Sequence, residues 1–247
     1  MKTAIITGAS SGLGAEFAKS IAQSGRAERI IIVARRKERL ELLARQLKEY
    51  ARIDVLPLDL TEDGAVKKIE EALDGDVPEL LINCAGFGKL GPVGKTCGQS
   101  GMIELNCGAL TRLCEFAASV MQAGGHIINI ASIAAFVPTP NLAVYGATKA
   151  YVLSFSKALS AELKDRGITV TAVCPGPVDT EFFAVAGIEN SRLFDNLVHM
   201  PAGYVVSRAL RASAKGRWVC TPHPFYKLYR AVSKILPDRL LIKLTRA

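Results

Sequence analysis

Short β-branched apolar runs alternate with longer amphipathic segments along most of the 247 residues, and this alternation limits the fold more than any other feature of the chain. The runs are TAIIT at 3–7, RIIIVA at 29–34, RIDVLPL at 52–58, ELLIN at 79–83, HIINIA at 126–131, ITVTAV at 168–173 and RWVCT at 217–221. Helical patterns lie between them, up to about residue 24 and over 37–50, 62–73, 97–123, 143–165 and 201–214. Strands apolar on both faces and joined by helices require a parallel sheet covered on both sides and wound right-handedly. The expected fold class is therefore α/β: one Rossmann-like, doubly wound parallel β-sheet flanked by helices on both faces, with residues 1–247 forming a single domain. Ligands of such sheets gather beyond the C-terminal strand ends. The irregular stretch at about 177–200 is expected to be a substrate loop, and 224–247 a basic C-terminal extension.

The first strand end reads TGASSGLG, residues 7–14, before a helix-like AEFAKSIAQSG. Glycines at a strand-to-helix turn let a ligand approach the main chain, and the helix N-terminus offers free N–H groups and a positive dipole end. This is a phosphate site, with Gly8, Ser10, Ser11, Gly12, Leu13 and Gly14 as candidate contacts. The spacing of Gly8, Gly12 and Gly14 is not G-x-G-x-x-G, but its context is that of a dinucleotide fingerprint.

After the second strand, Ala34 stands where an NAD-type site keeps an acid for the ribose 2′-hydroxyl, and Arg35 and Arg36 follow. Guanidinium forks suit a 2′-phosphate, so the cofactor expected is NADP(H); the competing reading is two arginines opening a solvated helix. Asp59, beside Leu60 at the third strand end, could accept a hydrogen bond from an adenine amino group or cap the next helix. NCAG at the fourth, with Asn83, Ala85 and Gly86, lets backbone lie close to a ribose.

The chemistry lies further along. Ser132 ends the strand HIINIAS, and thirteen positions later YGATK places Tyr145 and Lys149 at i and i+4 on one helix face. A phenol titrates near 10, too high for proton exchange near neutrality, and an adjacent ammonium would lower it. Ser132 could hold a carbonyl beside Tyr145, which protonates the oxygen as hydride reaches the carbon. That is a ketone-to-alcohol site. A Tyr and a Lys four apart also occur by chance on helix surfaces, so the pair carries weight only together with the other motifs.

TGASSGLG, NCAG, Ser132, YGATK and PGPVDT at 175–180, in this order, resemble the signature of the short-chain dehydrogenase/reductase superfamily over residues 3 to about 180. The resemblance implies a seven-stranded sheet, a dimer or tetramer, and a catalytic tetrad of Asn106, Ser132, Tyr145 and Lys149, with Asn106 holding a water that feeds a proton relay. It further implies that Tyr145 and Lys149 touch the cofactor, Lys149 at the nicotinamide ribose, and that Pro175, Gly176, Val178 and Thr180 line its carboxamide end. NCAG departs from the commoner NNAG at Cys84, and the C-terminal segment lacks the Gly-Gly pair of members acting on acyl carrier protein.

Composition excludes more than it assigns. No stretch approaches eighteen apolar residues and no signal peptide is visible at the start, which leads to an expected cytoplasmic location. Six cysteines without a C-x-x-C pair and three scattered histidines predict reduced thiols and no metal. A net charge of +8 suits an anionic cofactor, but no Lys/Arg blocks interleaved with aromatics track nucleic acid. Phe182, Phe183, Val185, Ile188, Leu193, Phe194 and Leu197 would form an apolar lid over a bulky carbonyl or alcohol substrate, or simply pack the lid against the body. In the tail, Phe225, Leu228, Tyr229, Val232, Ile235 and Leu236 fall at helical spacing among Lys227, Arg230, Lys234, Arg239, Lys243 and Arg246. Packing on the body or on a sister subunit is expected over membrane contact, with Pro237 ending the helix. The competing function is a catalytically silent NADP(H)-binding sensor or scaffold of the same fold, against which Tyr145 and Lys149 both speak.

Overall fold

The computed structural model describes residues 2–187 and 197–244, so Ile188, Leu193, Phe194 and Arg246 lie outside the described residues. Seven parallel strands form one sheet in the order β3-β2-β1-β4-β5-β6-β7: β1 Thr3–Thr7, β2 Arg29–Ala34, β3 Arg52–Pro57, β4 Pro78–Asn83, β5 His126–Ile130, β6 Thr169–Val173 and β7 Val219–Cys220. The order reverses between β1 and β4, and the crevice beyond their C-terminal ends is the topological switch point. Ile5 and Ile6 on β1, and Ile30, Ile31 and Ile32 on β2, are each at most 1% exposed, as strands covered on both faces require. Such burial contributes roughly 2–3 kcal/mol per isoleucine.

The helices divide between the two faces. α1 Gly12–Gln23 and α2 Lys37–Leu47 pack on one side through Phe17, Ile21, Leu40 and Leu47, joined by Val205 and Val206 of α8 Ala202–Ala214. α3 Ala65–Leu73, α5 Leu110–Val120 and α6 Ala143–Glu162 cover the other through Ile69, Leu113 and Val152. The helical pattern at 97–123 resolves into a short α4 Gly101–Ile103, a π-helical turn Glu104–Ala109 and α5. The helix expected from 62 starts only at Ala65, because Asp59 folds a turn onto Thr61 and Gly64 takes a left-handed φ of 75°. RWVCT contributes just two residues to the sheet edge. α7 Phe182–Ala186 is the described helical piece of the substrate loop, and the tail forms α9 Pro224–Val232 and α10 Asp238–Leu244 on either side of Pro237.

Opposite the switch point, Arg29 is buried and fully engaged. It pairs with Asp54 at 2.6 Å and Asp76 at 2.9 Å, and donates to the carbonyls of Ala72 and Leu73 at the end of α3. Among the described residues no helix is long and apolar enough to cross a membrane, and no group of three His, Cys, Asp or Glu side chains is placed to hold a metal. All six cysteines are free thiols.

Candidate active site

A cleft of about 730 Å³ opens at the C-terminal strand ends and takes lining residues from TGASSGLG, both arginines, the β4 end, Ser132, α6, the PGPVDT segment and α9. At its head, Gly8 has φ +67° and a Cβ there would lie 2.8 Å from Ala85 N, while a Cβ on Gly14 would strike the carbonyl of Gly8. These two glycines are required by the protein's own backbone: the β4 end passes Gly8, and the loop folds back on Gly14. The space for a ligand comes instead from the first turn of α1. Its N-cap, Ser11, makes no side-chain cap hydrogen bond, and Gly12 and Leu13 face the cleft. The donor set and cradle fit a dinucleotide pyrophosphate.

The two arginines occupy unlike settings. Arg35 is largely exposed and lies 3.6 Å from Asp59. Arg36 is drawn over the loop, donating to Ser10 and Ser11 at 2.7–3.1 Å, and pairs with Glu181 at 3.1 Å. Glu181 also receives Arg39 at 2.6 Å, and both guanidinium groups hold its carboxyl below the usual range. Neither Glu181 nor Arg39 emerges from the sequence, because each is ordinary surface charge until the fold brings the substrate loop beside α2. Asp59 lines the cleft with Leu60, yet one carboxylate oxygen accepts from both N–H and hydroxyl of Thr61, which lowers its pKa. A single oxygen remains for Arg35 or an amino group.

Ser132, Tyr145 and Lys149 come together in the cleft. Ser132 lies two residues beyond β5 in extended backbone, and its Oγ accepts from Ala134 N at 3.1 Å, leaving the hydroxyl proton free to be donated. Tyr145 is 8% exposed; burial pushes its phenol up to about 12, opposed by a hydrogen bond with Ser132. Lys149 lies with its Nζ 5.7 Å from the Tyr145 ring centroid and donates to Ile130 O at 2.8 Å. Burial lowers its pKa to about 8, against the pull of the Cys107, Cys84 and Cys174 sulfurs. The phenol is therefore raised where the sequence led to a lowered one, and desolvation is the largest cause for both groups.

Two expected positions sit elsewhere. Asn106, in the π-helical turn, lies behind the cleft wall: both amide protons are engaged, by Phe87 O at 2.9 Å and Thr148 Oγ1 at 3.1 Å, and its Oδ1 accepts from Phe87 N at 3.0 Å. Its side chain fastens the backbone after NCAG rather than reaching the cleft. Asn83 is likewise inside the sheet, donating to Asn129 Oδ1 at 2.9 Å, while Cys84, Ala85 and Gly86 line the cleft. A Cβ on Gly86 would lie 2.9 Å from Asn106 Oδ1, so that glycine admits the asparagine as well as any ribose.

The apolar end of the cleft is built from the substrate loop and the tail. Phe182 lies 5.6 Å from the Tyr145 ring, and Phe183, Val185 and Leu197 join it. Pro175, Gly176 and Val178 form the adjoining wall, while Thr180 packs against Gly12. Phe225 and Tyr229 of the tail stripe also line the cleft, and with them Tyr226 of α9, a role hidden in a sequence stripe that reads as plain packing. Tyr226 is 1% exposed, whereas Phe225, Leu228 and Ile235 of the tail stripe are 48%, 64% and 81% exposed on this chain.

The short chain dehydrogenase family model matches residues 2–190. An uncharacterised oxidoreductase of Staphylococcus epidermidis is 34% identical over 186 residues, 72% of this chain and 79% of that protein. A short-chain dehydrogenase from Sphingobium yanoikuyae, solved in complex with NADPH, superposes with a TM-score of 0.82 at 33% identity, covering 97% of this chain and 100% of that one. The bulky-bulky ketone specific alcohol dehydrogenase from Comamonas testosteroni gives 0.77 at 33% identity, over 95% and 93% of the two chains. With matched motifs, sheet order and relatives in agreement, the chain is an oxidoreductase belonging to the short-chain dehydrogenase family.

Proposed function

We propose that the chain is an NADP(H)-dependent oxidoreductase that interconverts a secondary alcohol and a ketone or aldehyde, on a bulky apolar substrate. The observation that carries this reading is that Ser132, Tyr145 and Lys149 line the same cleft as the first turn of α1 and Arg36. A nicotinamide cofactor bound there supplies or accepts the hydride.

The chain's own residues handle the oxygen and its proton. Ser132 donates to the carbonyl oxygen and holds it beside the phenol. Tyr145, kept protonated by burial, passes its Oη proton to that oxygen as negative charge develops, and the ammonium of Lys149 stabilises the phenolate left behind. Asn106 positions this machinery by fixing Phe87; with its amide engaged, any water it orders is held through its main-chain carbonyl.

For the cofactor, Arg36 in the cleft lining and Arg39, which shares Glu181 with it, supply forks for a 2′-phosphate, and Arg35 adds an exposed third. The NADPH-bound Sphingobium relative supports that choice. Phe182, Phe183, Val185 and Leu197 with Phe225 and Tyr229 give the apolar surface a bulky ketone needs, and the Comamonas relative supports this substrate class. The reading includes a single-domain cytoplasmic enzyme working as a homodimer or homotetramer, which analytical ultracentrifugation tests. Its central test is spectrophotometric: NADPH or NADH is mixed with the protein and a panel of aryl, alicyclic and small charged ketones. Faster loss of nicotinamide absorbance with NADPH and bulky apolar ketones is expected; NADPH binding without reduction of any carbonyl would overturn it.

A further inference from the structure

On the far side of α9 from the cleft lies a second cavity, of about 530 Å³, between α8, the end of β7 and α9. Seven cations line it: Arg208 and Arg211 on α8, Lys215 and Arg217 after it, Lys227 and Arg230 on α9, and Lys234 beyond. Among the described residues no acidic one lines it. Elsewhere the fold neutralises such charge, as with Arg29 on Asp54 and Asp76 or Arg36 and Arg39 on Glu181. Among the described residues none of these seven makes an ion pair. Arg208 and Arg230 instead rest over the rings of Tyr204 and Phe136, at 5.3 and 5.8 Å.

A second observation is independent of charge. Thr221 lines the same cavity, is 4% exposed, and its buried Oγ1 has no hydrogen-bond partner. A buried hydroxyl is ordinarily paired, since leaving one unmade is unfavourable. Seven unpaired cations around an unused hydroxyl form a site for a multiply charged anion with oxygens that accept hydrogen bonds.

We propose that this cavity is an anion-binding site for a ligand bearing two or more phosphates, with the Thr221 hydroxyl, closed off from solvent in this rotamer, turning about χ1 to donate to a phosphate oxygen and the cations of α8 and α9 clasping the charge from two sides. It is separate from the pyrophosphate cradle at α1. The phosphates come from a soluble phosphate ester or from the headgroups of an anionic lipid surface.

The test titrates the full-length protein calorimetrically with inorganic tripolyphosphate at physiological salt. Arg211→Gln/Lys227→Gln, Thr221→Val and Arg36→Ala are run in parallel, and circular dichroism checks folding. A saturable site is expected in wild type and Arg36→Ala, weakened at least tenfold in the double variant and several-fold in Thr221→Val. If the double variant does not fold, Thr221→Val and Arg217→Gln decide. Sedimentation with phosphatidylglycerol vesicles separates the sources: vesicle binding that tripolyphosphate displaces and the double variant loses identifies headgroups, and tripolyphosphate binding alone identifies a soluble ester. No saturable tripolyphosphate binding together with no variant-sensitive vesicle binding overturns the proposal, as does tripolyphosphate binding lost only in Arg36→Ala.

Discussion

Tyr226 lies so tightly on Gly176 that any Cβ on the glycine would collide with its ring, and its hydroxyl donates to Val198 O at 2.8 Å. One tail residue thus joins the segment after β6 to the far end of the substrate loop. Replacing it with alanine opens a cavity and frees that loop end, so Tyr226→Ala should cost roughly 3–5 kcal/mol in chemical denaturation. Deleting 224–247 should cost more, as lost solubility or a changed oligomeric state. A truncated protein with unchanged Tm would show that the tail does not support the body.

Tyr145→Phe keeps the ring against Phe182 and removes only the acid. Turnover of a reducible ketone should fall below about a tenth of wild type, with the Kd for NADPH nearly unchanged. Higher residual turnover would assign the proton to another group.

For the arginines, Arg36→Ala is expected to weaken NADPH at least tenfold and NADH little, whereas Arg35→Ala, removing an exposed side chain, should have the smaller effect. Glu181→Gln removes a carboxylate that competes with a 2′-phosphate for Arg36 and Arg39, and should tighten NADPH several-fold. Fluorescence titration of both nucleotides checks all three variants; equal loss of NADH and NADPH would reduce Arg36 to general charge.

Lys149 gives a pH signature. Its proton leaves near pH 8 in the folded protein and near 10.5 when unfolded, so across that window the unfolded chain holds more protons and stability rises with pH. Below pH 8 the buried ammonium exerts its full destabilising effect. Relative to wild type, Lys149→Met should therefore gain most at pH 7, and its Tm advantage should shrink by roughly 5 °C by pH 9.5. An advantage constant across pH would mean that the ammonium is well solvated.

Strand positions were legible because both faces of the sheet are buried, which leaves uninterrupted apolar runs such as RIIIVA. Tyr145 and Lys149 were legible because helical spacing alone puts them on one face. What the sequence hides is pairing at a distance and its consequences for solvation. Glu181 meets Arg39 across 142 positions, and the Asn106 amide turns to Phe87 rather than to the cleft. The Tyr145 phenol is raised where a lowering was expected, and Lys149 is lowered, because burial depends on everything packed around them.

Gly14→Ala should abolish nucleotide binding and lower Tm, since the new methyl strikes Gly8. Gly25→Ala, at a φ of +64° with nothing within 4 Å, should lose only about 1–2 kcal/mol. Equal losses at the two positions would show that the backbone makes room for a Gly14 methyl at no more cost than the left-handed strain at Gly25.

The approach of the β4 end to Gly8, and of Gly8 to Gly14, also bears on kinetics. A loop whose shape is set by contacts within the protein loses little conformational entropy when a dinucleotide docks, so more of the contact energy survives as affinity. Association then requires no slow ordering step at the phosphate end of the nucleotide.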